Sequence, residues 1–222
     1  MKAPKVQPPR IPSERPGPKG GKRDQNRQHK AQVLADAALD LFLAKGIDRV
    51  TVAELAKAAG MAKGSFYRYA EDIADVVARL LEPLSSGVDQ AVEAARSELE
   101  GAAGPNAVAD IYQRLAAKLL GVVFAMPGVV RLYLQESRGP AVGARAPIVE
   151  LRERIHAHAI ELTRFAQEHG LLRPVRVDIS ALTVVGAVEL HLYRMLTGQA
   201  VGDPAEGARE LVSLILDGVG RP

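Results

Sequence analysis

The segment from Thr51 to Tyr69, TVAELAKAAGMAKGSFYRY, constrains the fold more than any other part of the chain. Thr51 and Glu54 match a capping box, in which the Thr51 hydroxyl accepts from the Glu54 N–H and the Glu54 carboxylate accepts from the Thr51 N–H. Small and apolar residues continue to Gly60, which can take the positive φ that a sharp turn needs. The segment therefore predicts two short helices joined by a tight turn.

An amphipathic helix precedes this pair and completes a small core. Gly46 ends that helix, and Leu55, Met61 and Phe66 can fill the wedge between the three helices. Without the preceding helix the pair would be a generic αα-corner, whereas with it the pattern favours a helix-turn-helix. The apolar residues of the first helix recur at the i, i+4, i+7 and i+8 spacing: Val33, Leu34, Ala37, Ala38, Leu41 and Phe42.

The second helix of the pair carries polar side chains on the side that the core does not cover. Phe66 is its apolar anchor, which leaves four neighbours outside. Each of the four can donate hydrogen bonds to phosphate oxygens or base edges, so this helix is predicted to bind DNA. The four residues are Lys63, Ser65, Tyr67 and Arg68.

Three segments together resemble the N-terminal domain of TetR-type transcriptional regulators. The resemblance implies an all-α protein, with an N-terminal three-helix helix-turn-helix domain and a larger helical ligand-binding and dimerisation domain. The rest of the chain resembles the family only in length and helical arrangement. The three segments are ADAALDLFLAKG (35–46), VTVAELAKAAG (50–60) and GSFYRY (64–69).

The resemblance also implies which residues contact DNA. Thr51 matches a helix cap that binds phosphate, and Tyr67 and Tyr69 match aromatic residues that contact phosphate. The positions that match base-facing or groove-facing residues are Lys63, Gly64, Ser65 and Arg68.

At three positions the chain departs from the family pattern. Ala62 replaces the frequent Ser cap of the recognition helix, and Ala70 replaces the Phe that closes the motif. Ile73 stands where a Lys commonly contacts phosphate. The contacts to the DNA backbone are therefore expected to be fewer on that side.

The net charge of +3 conceals an asymmetry. Residues 1–30 hold nine Lys or Arg against two acidic residues, a net of +7, so residues 31–222 carry −4. Frequent Pro and Gly predict a disordered basic N-terminal arm over residues 1–26. Lys22, Arg23 and Arg27 are predicted to contact phosphates or the minor groove, and a solvated extension is the alternative.

The pattern divides the remainder into a DNA-binding headpiece, residues 27–72, and a helical effector-binding and dimerisation body, residues 73–222. Capping and breaking residues predict the body helices. Asp72 caps a helix that bends or breaks near Pro83, and Asp203 with Glu206 forms a second capping box that opens the last helix. The other predicted helices span 106–126, 127–137, 147–169 and 178–197, the last capped by Asp178.

The last two helices are apolar over more of their circumference than one buried face requires. One side can contact the core and another a partner, and the resemblance implies a four-helix homodimer interface suited to a palindromic site. An internal hairpin is the alternative. The predicted interface residues are Leu182, Gly186, Leu190, Tyr193, Leu211, Leu214 and Ile215.

The helices between residues 73 and 169 are predicted to enclose an effector pocket. Its candidate lining is largely apolar, which indicates a small hydrophobic effector, with an acyl compound as one candidate. Each of these residues is also a candidate for ordinary core packing. They are Tyr112, Leu115, Leu119, Phe124, Leu132, Gln135 and Glu136.

Composition and residue spacing argue against a metal site, a membrane span and an enzyme. Zero cysteines exclude thiolate metal sites and a cysteine nucleophile. His156 and His158 lie two positions apart and point to different sides of a helix, so no metal site is predicted, and no cofactor. The longest uncharged run, residues 119–130, is too short to span a bilayer, so no membrane contact and a cytoplasmic location are expected. No nucleophile, phosphate loop or ligand spacing indicates an enzyme.

The sequence thus predicts a ligand-responsive homodimeric transcriptional regulator. It would be a repressor that the effector releases from a double-stranded palindromic operator. The alternative is an architectural or non-specific DNA-binding protein without an effector.

Overall fold

The computed structural model describes residues 21–102, 104–199 and 202–219. All regular elements in these ranges are helical, which confirms the predicted all-α fold. Short 3₁₀ turns lie at Ile47–Arg49 and Gly143–Arg145. The helices are α1 Lys22–Lys45, α2 Val52–Ala58, α3 Lys63–Phe66, α4 Ile73–Glu100, α5 Pro105–Ala125, α6 Pro127–Glu136, α7 Ala146–Glu168, α8 Val177–Leu196 and α9 Pro204–Val219.

The capping box at the start of α2 is confirmed. The Glu54 N–H donates to Thr51 Oγ1 at 3.3 Å, and the Thr51 N–H donates to Glu54 Oε2 at 2.9 Å. Val50 before the cap and Leu55 after it are both buried, as a hydrophobic staple requires. The start of α2 is therefore specified by residues within one turn of it.

The turn between α2 and α3 also follows the prediction. Gly60 has a φ of +63°, and the Met61 N–H donates to the Ala56 carbonyl at 2.9 Å. Ala62 precedes α3 and provides no side-chain cap. The helical segment at Lys63–Phe66 is accordingly short, and turn hydrogen bonds extend it to Tyr69.

Helix α4 connects the headpiece to the body without interruption. It begins at the predicted cap and continues through Pro83 to Glu100, so the expected break is absent. A proline inside a helix removes one backbone hydrogen bond, here to the Arg79 carbonyl. Pro83 is exposed, whereas Leu80 and Leu84 beside it are buried, so core packing on the opposite side maintains the helix.

Three other predicted features differ from the structure or are confirmed in part. Helix α1 begins at Lys22, so residues 22–26 are helical rather than part of a disordered arm, and residues 1–20 lie outside the described ranges. Asp178 does not cap α8, because it lies in the first turn and pairs with Arg176 at 2.6 Å. Asp203 does accept from the Glu206 N–H at 2.9 Å, the capping half of the predicted box.

One hydrophobic core extends from the headpiece into the body. Phe42 and Phe66 from the headpiece, Val77 of α4 and Leu132 of α6 are fully buried members of it. A second, smaller cluster lies farther along α4, where α5 and α7 pack around Leu99. Within the body α4 packs against α5 and α7, α7 against α8, and α5 against α9.

Among the helices in the described ranges, α8 is the one whose length and mean hydropathy would by themselves suit a membrane span. Helices α5 and α6 reach that hydropathy only as a pair, and their axes differ by 100°. A single apolar helix is weak evidence for a span, because helices at protein interfaces have the same composition.

Candidate DNA-binding and effector sites

Helix α3 presents the predicted DNA-binding residues on a firmly packed support. Phe66 is fully buried, and its ring makes an edge-to-face contact with Tyr67 at 5.4 Å. Tyr67 is nevertheless 47% exposed. Lys63, Gly64 and Arg68 are exposed too, while Ser65 and Tyr69 are half-buried. Donors for phosphate and base contacts are therefore free on the outer side of α3.

Thr51 is exposed at the start of α2, where its hydroxyl donates to Glu54 Oε2 at 2.9 Å. Lys45 at the end of α1 pairs with the other carboxylate oxygen of Glu54 at 2.7 Å, a contact that the sequence analysis missed. The hydrogen bond from Lys45, followed by those from the Thr51 N–H and hydroxyl, lowers the pKa of Glu54 to about 2. The ionised Glu54 thus joins α1 to the start of α2.

The basic residues predicted at the end of the arm lie on the first turns of α1. Lys22, Arg23 and Arg27 are all exposed there, as is Lys30 one turn further on. A helix holds these charges at defined positions, whereas a disordered arm would allow them to move. The earlier basic residues of the arm lie outside the described residues.

The predicted effector residues lie in several different environments. Tyr112 and Leu115 pack against the cluster around Leu99, and Leu119 packs against the main core. Burial raises the pKa of Tyr112 to about 12. Phe124 is instead 57% exposed.

Leu132 and Glu136 take part in contacts within the protein. Leu132 is fully buried in the main core. The Glu136 carboxylate accepts from Arg145 at 3.0 Å and from the Ile47 N–H at 3.4 Å, so it joins α6 to the headpiece. Spacing along the sequence could not separate these partners from ligand contacts, because both kinds of residue recur on inward-facing helix positions.

Two open clefts lie beside the end of α6, and both include Gln135. The first, of about 440 Å³, lies between the end of α1 and the α6–α7 connection. The second, of about 250 Å³, lies between α6 and α8, with a charged pair and three large apolar or aromatic side chains in its wall. The second is lined by Leu134, Gln135, Ser137, Arg138, Glu189, Leu190 and Tyr193.

A buried carboxylate at this second cleft was missed by the sequence analysis. Glu189 of α8 accepts from the Tyr133 hydroxyl at 2.6 Å and pairs with Arg138 at 2.7 Å. Burial, together with the hydrogen bond to Glu189, raises the pKa of Tyr133. A lone acidic residue within the apolar stretch of α8 was the available signal, since buried carboxylates are rare unless they are paired.

Exposed apolar side chains among the predicted dimer residues lie on α8 and on α9, two helices that contact each other, and they are called here the apolar surface of α8 and α9. Leu190 is 57% exposed and Leu214 is 70% exposed, and Leu182 and Tyr193 are exposed as well. No atom lies within 4 Å of a Cβ built on Gly186, so a partner helix could approach there. Leu211 is half-buried, and the side chain of Ile215 lies outside the described part.

Metal binding has no candidate in the described ranges, since no group of three His, Asp or Glu residues there could hold an ion.

The capped headpiece, the exposed polar side of α3 and the helical body define the chain as a helix-turn-helix DNA-binding regulator. The family model described as bacterial regulatory proteins, tetR family, matches residues 34–80. The chain is 31% identical over 171 residues to the transcriptional regulator AcuR of Cereibacter sphaeroides, across 74% of each chain. It belongs to the TetR family of bacterial transcriptional regulators.

Solved structures extend the likeness to the body. The fatty acid degradation regulator FadR of Bacillus halodurans matches with a TM-score of 0.65 and 20% identity, over 94% of this chain and 100% of that one. FadR of Bacillus subtilis, in complex with stearoyl-CoA, matches with a TM-score of 0.63 and 16% identity, over 84% and 98%. At these identities the likeness establishes the shared fold.

Proposed function

We propose that this chain is a homodimeric repressor that binds a palindromic operator and is released by a small hydrophobic effector. The observation that carries the proposal is the pairing of two surfaces in one molecule. One is the exposed polar side of α3 around Lys63 and Tyr67, and the other is the apolar surface of α8 and α9 around Leu190 and Leu214. A two-fold dimer through the second surface would present two copies of the first.

Dimerisation gives the exposed apolar surface a physical explanation. Contiguous apolar patches on soluble proteins are typical of interaction sites, because their contact with water is unfavourable. The patch lies on the helices by which the family resemblance implies dimer formation. A partner copy would cover Leu182, Leu190, Tyr193 and Leu214, all of which are exposed in the single chain.

A hydrophobic effector is supported by two observations. FadR of Bacillus subtilis, which shares the fold, is described in complex with stearoyl-CoA. In this chain the cleft between α6 and α8 combines the apolar Leu134 with the polar Gln135, and its outer wall is Leu190 and Tyr193 of the surface proposed for the dimer. Such a lining would suit a molecule with an apolar chain and a polar end.

Selection of bound fragments from random double-stranded DNA tests the DNA-binding part. We expect enrichment of an inverted repeat with two half-sites about one helical turn apart. A protein that retains all fragments alike, with an affinity that depends only on salt, would instead be the architectural DNA-binding protein.

The effector part has its own test. We expect stearoyl-CoA to raise the melting temperature and to release the selected operator, with coenzyme A alone as the control. If acyl-CoA and free fatty acids change neither quantity, the effector is not an acyl compound.

A further inference from the structure

Helix α6 contacts the headpiece at both of its ends. At its start, a Cβ built on Gly128 would lie 3.0 Å from Leu39 Cδ2 of α1. At its end, Glu136 Oε1 accepts from the Ile47 N–H at 3.4 Å, within the 3₁₀ turn that links α1 to α2. The ten-residue helix is thus a support on which the headpiece rests.

Arg145 reinforces the second of these contacts. Its guanidinium pairs with Glu136 of the body at 3.0 Å and with Asp48 of the headpiece at 2.6 Å. The Arg145 side chain is only 12% exposed and that of Glu136 only 8%. Asp48 and Arg145 are 97 positions apart, so the pair joins distant parts of the chain.

The backbone around Arg145 leaves room for this arrangement. A Cβ on Gly139 would lie 2.6 Å from both Cδ and Nε of Arg145, so any larger residue at 139 would displace the guanidinium. Gly46 also lies near Glu136, in a tight contact without a clash, with 3.3 Å from its built Cβ to Oε1. Two glycines therefore accommodate the two charged side chains of one junction.

Helix α6 is also linked to α8. Tyr133, which donates to Glu189, lies one turn before Glu136 on α6, so the two contacts are neighbours on one helix. If α8 moved relative to α6, the contact between Glu189 and Tyr133 would move α6. The junction of Glu136, Arg145 and Asp48 would then change as well. Helix α8 also carries the apolar surface proposed for dimerisation.

We propose that Arg145 is a positioning residue that sets the orientation of the headpiece on the body through Asp48 and Glu136. In the dimer this orientation determines the distance between the two copies of α3, and so the half-site spacing that the protein prefers. This inference rests on the proposed dimeric operator-binding function. Arg145 acts at a distance from DNA, and its effect is on spacing rather than on base preference.

The test compares operators that differ only in spacing. Starting from the selected palindrome, the separation of the half-sites is changed in steps of one base pair, and an isolated half-site serves as the reference. For Arg145→Met we expect about a tenfold loss of affinity at the best spacing, a flatter spacing profile and unchanged half-site affinity. On an isolated half-site only one copy of α3 contacts DNA, so the affinity cannot depend on the distance between the two copies. A residue that contacts DNA directly would change this affinity, whereas a positioning residue would not.

Two further variants keep the positive charge. Gly139→Ala should displace the guanidinium and flatten the profile in the same way, and Arg145→Lys should restore part of the wild-type preference. The matched controls are Gly121→Ala, where no atom lies within 4 Å of the built Cβ, and Arg114→Met, which removes a 2.6 Å pair between α5 and α4 inside the body. Both controls should keep the wild-type profile.

The possible failures are distinguishable. If the Arg145→Met and Gly139→Ala proteins keep the wild-type spacing profile, or lose half-site and palindrome affinity equally, the positioning role is refuted. Should Arg145→Met not fold, Gly139→Ala and Arg145→Lys decide the question by the same measurement. A wild-type protein without any spacing preference would refute the proposed dimeric function, and this inference with it.

Discussion

The Tyr133 hydroxyl donates to Glu189 Oε1 at 2.6 Å, and this buried hydrogen bond joins α6 to α8 across 56 positions of the sequence. Arg138 supplies the second partner of the carboxylate, at 2.7 Å. A buried carboxylate needs such partners, since it loses its hydration when the helices pack. The contact therefore connects α6, which contacts the headpiece, to α8, which is proposed to form part of the dimer interface.

Removal of the Tyr133 hydroxyl should destabilise the protein. In Tyr133→Phe the carboxylate of Glu189 keeps Arg138 but loses its buried neutral donor, at an expected cost of about 1–3 kcal/mol. Chemical denaturation measures the free energy of unfolding. Tyr112→Phe is the matched control, because burial alone raises the pKa of Tyr112, and this change should be nearly neutral. Equal costs for the two variants would show that the bond to Glu189 contributes little.

Lys63 and Tyr67 are expected to contribute differently to DNA binding. Lys63 is in the first turn of α3 and could donate to guanine O6 or N7, whereas the Tyr67 hydroxyl is expected to contact phosphate. Lys63→Ala should therefore cost about 1–3 kcal/mol on the operator and relax the preference at one base position. Tyr67→Phe should weaken all sequences alike. Equal losses on operator and random DNA for both variants would contradict this assignment.

A charge on the apolar surface of α8 and α9 should favour the monomer. Gly186→Arg and Leu214→Glu would each leave a charge buried in the dimer but hydrated in the monomer. Light scattering measures the mass of each variant. The control is Val142→Glu, because Val142 is 60% exposed and lies on the α6–α7 connection rather than on α8 or α9. If all three proteins remain folded dimers, the interface lies elsewhere.

The ionisation of Glu54 should make headpiece stability depend on pH. Its pKa is lowered from 4.5 to about 2, and the hydrogen bond from Lys45 is the largest cause. A group with a depressed folded-state pKa stabilises the protein above its unfolded value, and this contribution is lost as the pH falls from about 4.5 through about 2. Thermal unfolding measures the melting temperature at each pH in this range, and this temperature should depend less on pH for Glu54→Gln than for the wild type. Lys45→Gln should reproduce part of that change, and identical slopes for all three proteins would contradict it.

The N-terminal residues should add affinity through charge. Because α1 begins at Lys22, deletion of residues 1–20 removes five Lys or Arg residues and leaves the helix intact. We expect the slope of log affinity against log salt to shrink by about 1–3 units per subunit, with the same preferred operator. An unchanged slope would mean that these residues are a solvated extension. A loss of sequence preference would mean that they contact bases in the minor groove.

Local chemistry explains which features could be predicted from the sequence. The Thr51–Glu54 box, the turn at Gly60 and the cap at Asp72 each depend on residues within five positions of one another. Periodicity along single helices also predicted the apolar surface at Leu190 and Leu214. These features follow from the sequence because their partners are adjacent in it.

Tertiary packing decided the rest. Pro83 remains inside α4 because buried residues on both sides of it hold the helix together, although local preference favours a break. Glu189 has partners 51 and 56 positions away, and Arg145 has one partner, Asp48, 97 positions away. No rule based on sequence spacing predicts such pairs. The sequence alone thus determined the helix-turn-helix and the family, because these follow from short-range capping, turns and periodicity. Only the folded structure determined how the headpiece is held on the body, because that depends on which distant charges are brought together and shielded from water.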